Sequence, residues 1–178
     1  EYPASFMMVA SMNPCPCGYY GHPSKECICQ PGARQRYMNR ISGPLLDRID
    51  IQVELPSVSF EEMSGGSNAG ESSATIRARV NAARAVARER AEKAGATHLY
   101  SNAAMTPADV RRFCTPDEGG RALLSAAFDN LGLSGRGYDR VLRVARTIAD
   151  LAGAAEIGAS HIAEAIQLRS LDRKYWSR

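Results

Sequence analysis

Two kinds of hydrophobic patterning divide the chain. Residues 6–12 are almost continuously apolar, while residues 49–55 alternate strictly, with Ile49, Ile51, Val53 and Leu55 on one side and Asp50, Gln52 and Glu54 on the other. The first pattern suits a strand buried on both faces and the second a half-buried strand, so two strands are expected, the later one ended by Pro56. Between them residues 32–40 read as a helix, and Ser42-Gly43-Pro44 leads into a short turn at Leu45-Leu46-Asp47-Arg48.

Beyond residue 73 the period changes to that of a helix. Ile76, Val80, Ala83 and Ala87 share one face over about residues 73–93, with Arg77, Arg84 and Arg88 on another. Thr106-Pro107-Ala108-Asp109 carries the N-cap, N1 proline and N3 acid of a helix start, and Thr115-Pro116-Asp117-Glu118 repeats it as a capping box. The helix that follows would turn Leu123, Leu124, Ala127, Phe128 and Leu131 inward. The clearest pattern covers residues 135–152, where Tyr138, Val141, Leu142, Ala145, Ile148, Ala149 and Ala152 form an unbroken stripe that must face other helices. A last helix is expected over about 160–169, before a polar tail tipped by Tyr175 and Trp176. Residues 63–73, rich in Gly and Ser, read as a linker between residues 1–62 and 74–178.

Composition adds bounds. With 178 residues, 44% apolar and 23% charged, the chain has the balance of a water-soluble globular protein, and no apolar run approaches the ~20 residues that span a bilayer. No basic segment precedes an apolar one at the start, so a cytoplasmic protein without a membrane partner is expected. The chain opens at Glu1, one step before a buried-looking strand, as a fragment would. A net charge of +3 is too small to argue for nucleic acid by itself.

The cysteines change the picture more. Cys15 and Cys17, answered by Cys27 and Cys29, place four of five thiols in one Gly/Pro/Ser-rich loop without a core of its own. A metal or a disulfide would explain them, and in a cytosolic setting paired cysteines are more often ligands. Four thiolates from two pairs satisfy tetrahedral Zn²⁺, although C-x-C twice is tighter than the usual C-x2-C, and unligated thiols remain the alternative. His22 nearby reads as solvated, and Cys114 as an inert thiol at a helix end. Asn13, directly before Pro14, reads locally as the start of a turn.

Phe6-Met7-Met8-Val9-Ala10-Ser11-Met12-Asn13-Pro14, followed by Ser42-Gly43-Pro44-Leu45-Leu46-Asp47-Arg48-Ile49-Asp50, resembles the second half of the AAA+ ATPase core in the magnesium-chelatase branch. The loop Asn-Pro-Cys-Pro-Cys-Gly-Tyr-Tyr-Gly looks more closely like the ComM/YifB group of magnesium-chelatase-like proteins. The run from Leu133 through Gly135-Arg136-Gly137-Tyr138 to Leu151 resembles that family's helical lid, and Ser160-His161-Ile162-Ala163-Glu164-Ala165-Ile166 its last helix. The resemblance covers essentially the whole chain. It implies a mainly α fold, a helical lid bundle preceded by a partial α/β core of two strands and a helix.

By the same resemblance, Asn13 falls at sensor 1, which orients the water that attacks the γ-phosphate, and its amide can both donate and accept. Arg48 falls at the arginine finger, directed at a neighbouring subunit's nucleotide; read without the family, it would pair with Asp47 or Asp50 on the surface. Arg136 falls at sensor 2. There a cation in the first turn opposes the helix macrodipole at about 0.3–1 kcal/mol, so either a phosphate wants it or it bends into water. Arg140 and Arg143 continue its stripe as solvated or interface charges.

No G-x-x-x-x-G-K-[ST] occurs in the chain, and no apolar strand ends in an acidic pair for Mg²⁺, so the chain alone is not expected to hydrolyse ATP. The resemblance implies a hexameric ATPase using ATP and Mg²⁺ in its complete form, with DNA gripped through preceding segments, and branch-migration helicase activity in natural transformation. Residues 1–56 would then lack a sheet neighbour and pack differently from the lid. Two other readings stand beside this one. One is a zinc-stabilised nucleic-acid-binding module using Arg77, Arg84 and Arg88; the other is a magnesium chelatase ATPase subunit, against which the extra Cys loop argues.

Overall fold

Proline and short polar residues set the helix starts along the chain. The computed structural model describes residues 6–58, 60–64, 70–131 and 133–169. Helix α1 (Pro31–Met38) and the single turn α2 (Gly43–Leu46) each carry proline in the first positions, where a missing N–H is harmless. A short α3 (Phe60–Ser64) precedes α4 (Ser73–Lys93), whose N-cap Ser72 accepts a hydrogen bond from the Thr75 amide at 3.1 Å. After a 3-10 turn (Asn102–Ala104), α5 (Pro107–Phe113) opens with a complete capping box. Asp109 N donates to Thr106 Oγ1 at 3.3 Å, and Thr106 N donates back to Asp109 Oδ2 at 2.9 Å.

Helix α6 (Glu118–Leu131) begins later than its expected box. Asp117, not Thr115, supplies the cap by accepting from Gly120 N at 2.6 Å, while the Thr115 hydroxyl donates to the Arg111 carbonyl. The reason is tertiary. Pro116 forms an isolated parallel bridge with Ile157, and Asp117 N donates to Ile157 O, which holds this stretch extended until Asp117. Helix α7 (Gly135–Leu151) is capped by Ser134 through Gly137 N at 3.0 Å, and α8 (Ala159–Gln167) follows Gly158, whose N–H donates to His161 Nδ1.

Helix α7 is the axis of the packing, with α8, α4, α5 and the 3-10 turn against it and α6 against α8. Its Val141, Leu142, Ala145 and Ala149 are buried as the stripe requires, and they meet Ile157, Ile162, Ala165, Val110 and Leu124 in one core. Tyr138 at the stripe's start is more exposed, edge-on to Phe128. Close packing leaves little room for a side chain at Gly120 of α6, where a Cβ would stand 3.0 Å from Pro116 and 3.3 Å from Ile162.

A buried ion cluster ties α4 to α7. Asp150 accepts from Arg90 Nη1 at 2.5 Å and from Arg146 Nε at 3.0 Å, while Asn102 donates to it at 2.8 Å. Arg146 completes its pairing on the carbonyls of Ala154 and Ala155. Burial pulls its guanidinium below the usual arginine value, although Asp150 works the other way.

The two expected strands are not formed. Residues 6–12 and 49–55 have no regular structure, and Phe6, Met7, Val9, Val53 and Leu55 are exposed. A strand finds its hydrogen-bond partners on a neighbouring strand, and neither segment has one among the described residues. Residues 49–52 are tied instead to the end of α8, through Gln52 N to Leu168 O at 2.7 Å and Arg169 Nη1 to Ile49 O at 2.7 Å. The protein is therefore mainly helical, with its core between α4 and α8. No helix among the described residues is long and apolar enough to cross a membrane. The centre of the expected linker, the side chain of Leu131 and the tail with Tyr175 and Trp176 lie outside the described residues.

Candidate functional site

The Cys loop folds back on itself at two glycines in the left-handed region, Gly18 (φ 83°) and Gly21 (φ 81°), where a Cβ would be strained. A turn closes between them and the first pair, Gly18 N donating to Cys15 O at 3.0 Å. The four sulfurs converge as a result. Cys15 Sγ lies 3.3 Å from Cys17 Sγ and 3.7 Å from Cys27 Sγ, Cys17 and Cys27 are 3.6 Å apart, and all four Sγ atoms fall within 4.8 Å of one another. Cys15 is buried, the other three are half-buried, and all are free thiols.

The thiols do not behave alike. A hydrogen bond from the Tyr19 backbone pulls the Cys17 thiol down to about 6, while desolvation, followed by its hydrogen bond with Cys17, pushes Cys29 up to about 12. Around them, Lys25 sits over the Tyr19 ring and Arg34 of α1 over the Tyr20 ring, which joins the loop to the helix behind it. His22, expected to be solvated, is half-buried and caps the loop, its Nδ1 accepting from the amides of Ser24 and Lys25. Cys114 is separate, buried in the core with its Sγ 3.5 Å from Met105 Sδ, and burial pushes it up to about 11.

The three residues implied by resemblance are all exposed. Asn13 lies beside the Cys loop, where its side chain would be 3.8 Å from a Cβ placed at Gly18. Arg48 donates to Pro44 O at 2.6 Å and forms no ion pair with Asp47 or Asp50. Those carboxylates are engaged elsewhere, Asp50 by Arg140, and Asp47 by Ser134 at 3.3 Å and by Arg169 at 3.9 Å. Arg136 stands in the first turn of α7 without a hydrogen bond or ion pair among the described residues. The structure brings Arg48 and Arg136 to one seam, where the end of α2 meets the start of α7 through Ser134 and Asp47 and through Arg140 Nη1 and the Arg48 carbonyl at 2.7 Å. Asn13 has no hydrogen bond to either arginine.

Sequence reasoning missed the clasp made by Arg140 and Asp50, and missed Arg90, Asn102, Arg146 and Asp150 altogether. A signal for the second group existed. Arg146 and Asp150 stand four apart beside the buried Ala145 and Ala149 of α7, a spacing that lets opposite charges meet on one helix face.

Residues 70–169 match the family described as "Magnesium chelatase, subunit ChlI C-terminal", and residues 1–63 match "Magnesium chelatase, subunit ChlI". The chain belongs to this magnesium-chelatase-like family. Among its relatives, the competence protein ComM of Haemophilus influenzae is 38% identical over 173 residues, 97% of this chain and 32% of that protein. YifB of Escherichia coli, uncharacterised, is 40% identical over 172 residues, again 97% and 32%. An uncharacterised protein of Mycobacterium tuberculosis is 38% identical over 169 residues, 94% of this chain and 32% of its own length. The chain thus spans about a third of the length of these curated relatives.

Proposed function

We propose that the chain is the rear part of a hexameric AAA+ ATPase of the ComM/YifB kind, cytoplasmic, which couples ATP hydrolysis to DNA remodelling such as branch migration in natural transformation. The observation that carries this reading is Arg136. It is a permanently charged guanidinium in the first turn of α7, exposed and without a partner among the described residues, in a chain of the magnesium-chelatase-like family, and a phosphate is the ligand that repays such a placement. In this reading residues 1–62 close the ATPase core, 63–73 link, and 74–178 form the lid.

ATP and Mg²⁺ belong to the whole protein. The 178 residues contain no phosphate-cradling loop, so their contribution is threefold: Asn13 positions a water, Arg48 offers charge across a subunit boundary, and Arg136 brings the lid onto nucleotide. DNA is engaged through other segments of the protein. In the full-length protein, Arg48→Ala is expected to lower ATP turnover by about 10³–10⁵ with nucleotide affinity kept, and unchanged turnover would remove Arg48 from the site.

A second reading draws on the exposure of Arg77, Arg84 and Arg88 along α4, which suits a nucleic-acid-binding module. Titration of this chain with DNA at low and high salt separates the two. Tight, steeply salt-dependent binding favours the module, and weak binding the motor fragment.

A further inference from the structure

We infer that Cys15, Cys17, Cys27 and Cys29 hold one Zn²⁺ in a closed tetrathiolate site that serves as the core of residues 13–30. In that segment Cys15 is the one buried residue, while Tyr19, Tyr20 and Ile28 face solvent. A loop of this length with no hydrophobic centre needs another source of cohesion, and the converging sulfurs are the groups placed to provide it.

The spacing fits the ion. Tetrahedral zinc with Zn–S near 2.3 Å sets its sulfurs about 3.8 Å apart, and the observed separations of 3.3, 3.6 and 3.7 Å, within an overall limit of 4.8 Å, bracket a single ion. A set of four soft donors selects zinc or iron over hard cations, and four protein ligands leave no open position, so the site is structural.

The surroundings fit the charge. Four thiolates on Zn²⁺ carry a net charge of about −2, and Cys17 N points its hydrogen at Cys29 Sγ at 3.3 Å, as an amide does towards a thiolate. Lys25 and Arg34, held over Tyr19 and Tyr20, supply cations at the rim. His22 is not among the groups whose ligand atoms converge, its Nδ1 being occupied by two amides of its own turn, so the set is purely sulfur. Asn13 stands two residues before the first ligand and packs beside Gly18, so the ion also fixes the amide to which the functional reading gives water positioning; that consequence rests on the reading, whereas the metal does not.

Elemental analysis of the chain purified from medium without added zinc tests this directly. One zinc per chain is expected, released by a mercurial thiol reagent, and replacement by Co²⁺ should give the strong visible bands of a tetrahedral thiolate complex. Loss of an outer-shell partner alone costs about 10–100-fold in metal affinity, so the Cys27→Ser, Cys29→Ser double variant should lose zinc at least that strongly while its helical circular dichroism persists. Cys114→Ala should keep the ion. Near-zero metal with four titratable thiols, iron in place of zinc, a mass reduced by a disulfide, or zinc retained in the double variant would each overturn the site.

Discussion

In the helical region Val141, Ala145, Ala149, Ile157, Ile162 and Ala165 are fully enclosed, whereas in residues 6–58 Phe6, Met7, Val9 and Leu55 are each at least 77% exposed. Only Cys15, Met38 and Leu46 are buried among the described residues of that front region. The contrast follows from how each element satisfies its backbone. A helix closes its own hydrogen bonds and needs one apolar face covered, which neighbouring helices here supply. Strand-like segments need a neighbour for backbone and side chains alike, and without one they stay hydrated and open. What holds the front region is polar: Arg140 on Asp50, Ser134 on Asp47, Arg169 on Ile49, and the sulfur cluster.

If stability resides in the helical region, the largest loss should come from Asp150→Ala. It leaves Arg146 buried without its counter-charge and deprives Arg90 of the same partner, a change worth about 3–5 kcal/mol in a denaturant titration. A loss below ~1 kcal/mol would show that the cluster is solvated. Next comes a paired comparison: Ile162→Ala should cost about 2–5 kcal/mol, and Val53→Ala less than ~0.5 kcal/mol. Amide exchange on the unmodified chain should agree, with slow exchange in α7 and fast exchange at 6–12, and uniform protection would erase the distinction.

The smallest effect expected is in acid. The Thr106 hydroxyl, then His98, hold the Asp109 carboxyl down to about 2, below its unfolded value near 3.9. The folded state therefore favours the ionised form, a contribution fully present above about pH 4 and lost as pH falls towards 2. Thermal midpoints measured across that window should fall, and Asp109→Asn should reduce the slope; an unchanged slope would place the acid sensitivity elsewhere.

Much of the helical region was legible. Thr106 caps α5 where the sequence places it, and α7 buries Val141, Leu142, Ala145 and Ala149 of the stripe its spacing predicts, while Tyr138 and Ala152 at its ends are exposed. The shift of the α6 cap from Thr115 to Asp117 was not legible, because the bridge between Pro116 and Ile157 joins residues far apart in the chain. Of the candidate site, the four cysteines were legible as a group and their convergence was not. Nor was the Arg48 neighbourhood, where the expected partner Asp50 belongs to Arg140 from α7.

By itself the sequence determined most of the helices and the buried stripe of α7, since these depend on residues within a turn or two of one another, but not which apolar residues of α4 and α6 are covered: Ile76, Val80 and Phe128 stay exposed. The tertiary structure decided which charges meet, where Asp150 collects its arginines, and how four sulfurs close on one point. It also decided against the strands. Local alternation specifies a face that can be buried, but only another segment can bury it, and pairing across distance is a property of the folded chain.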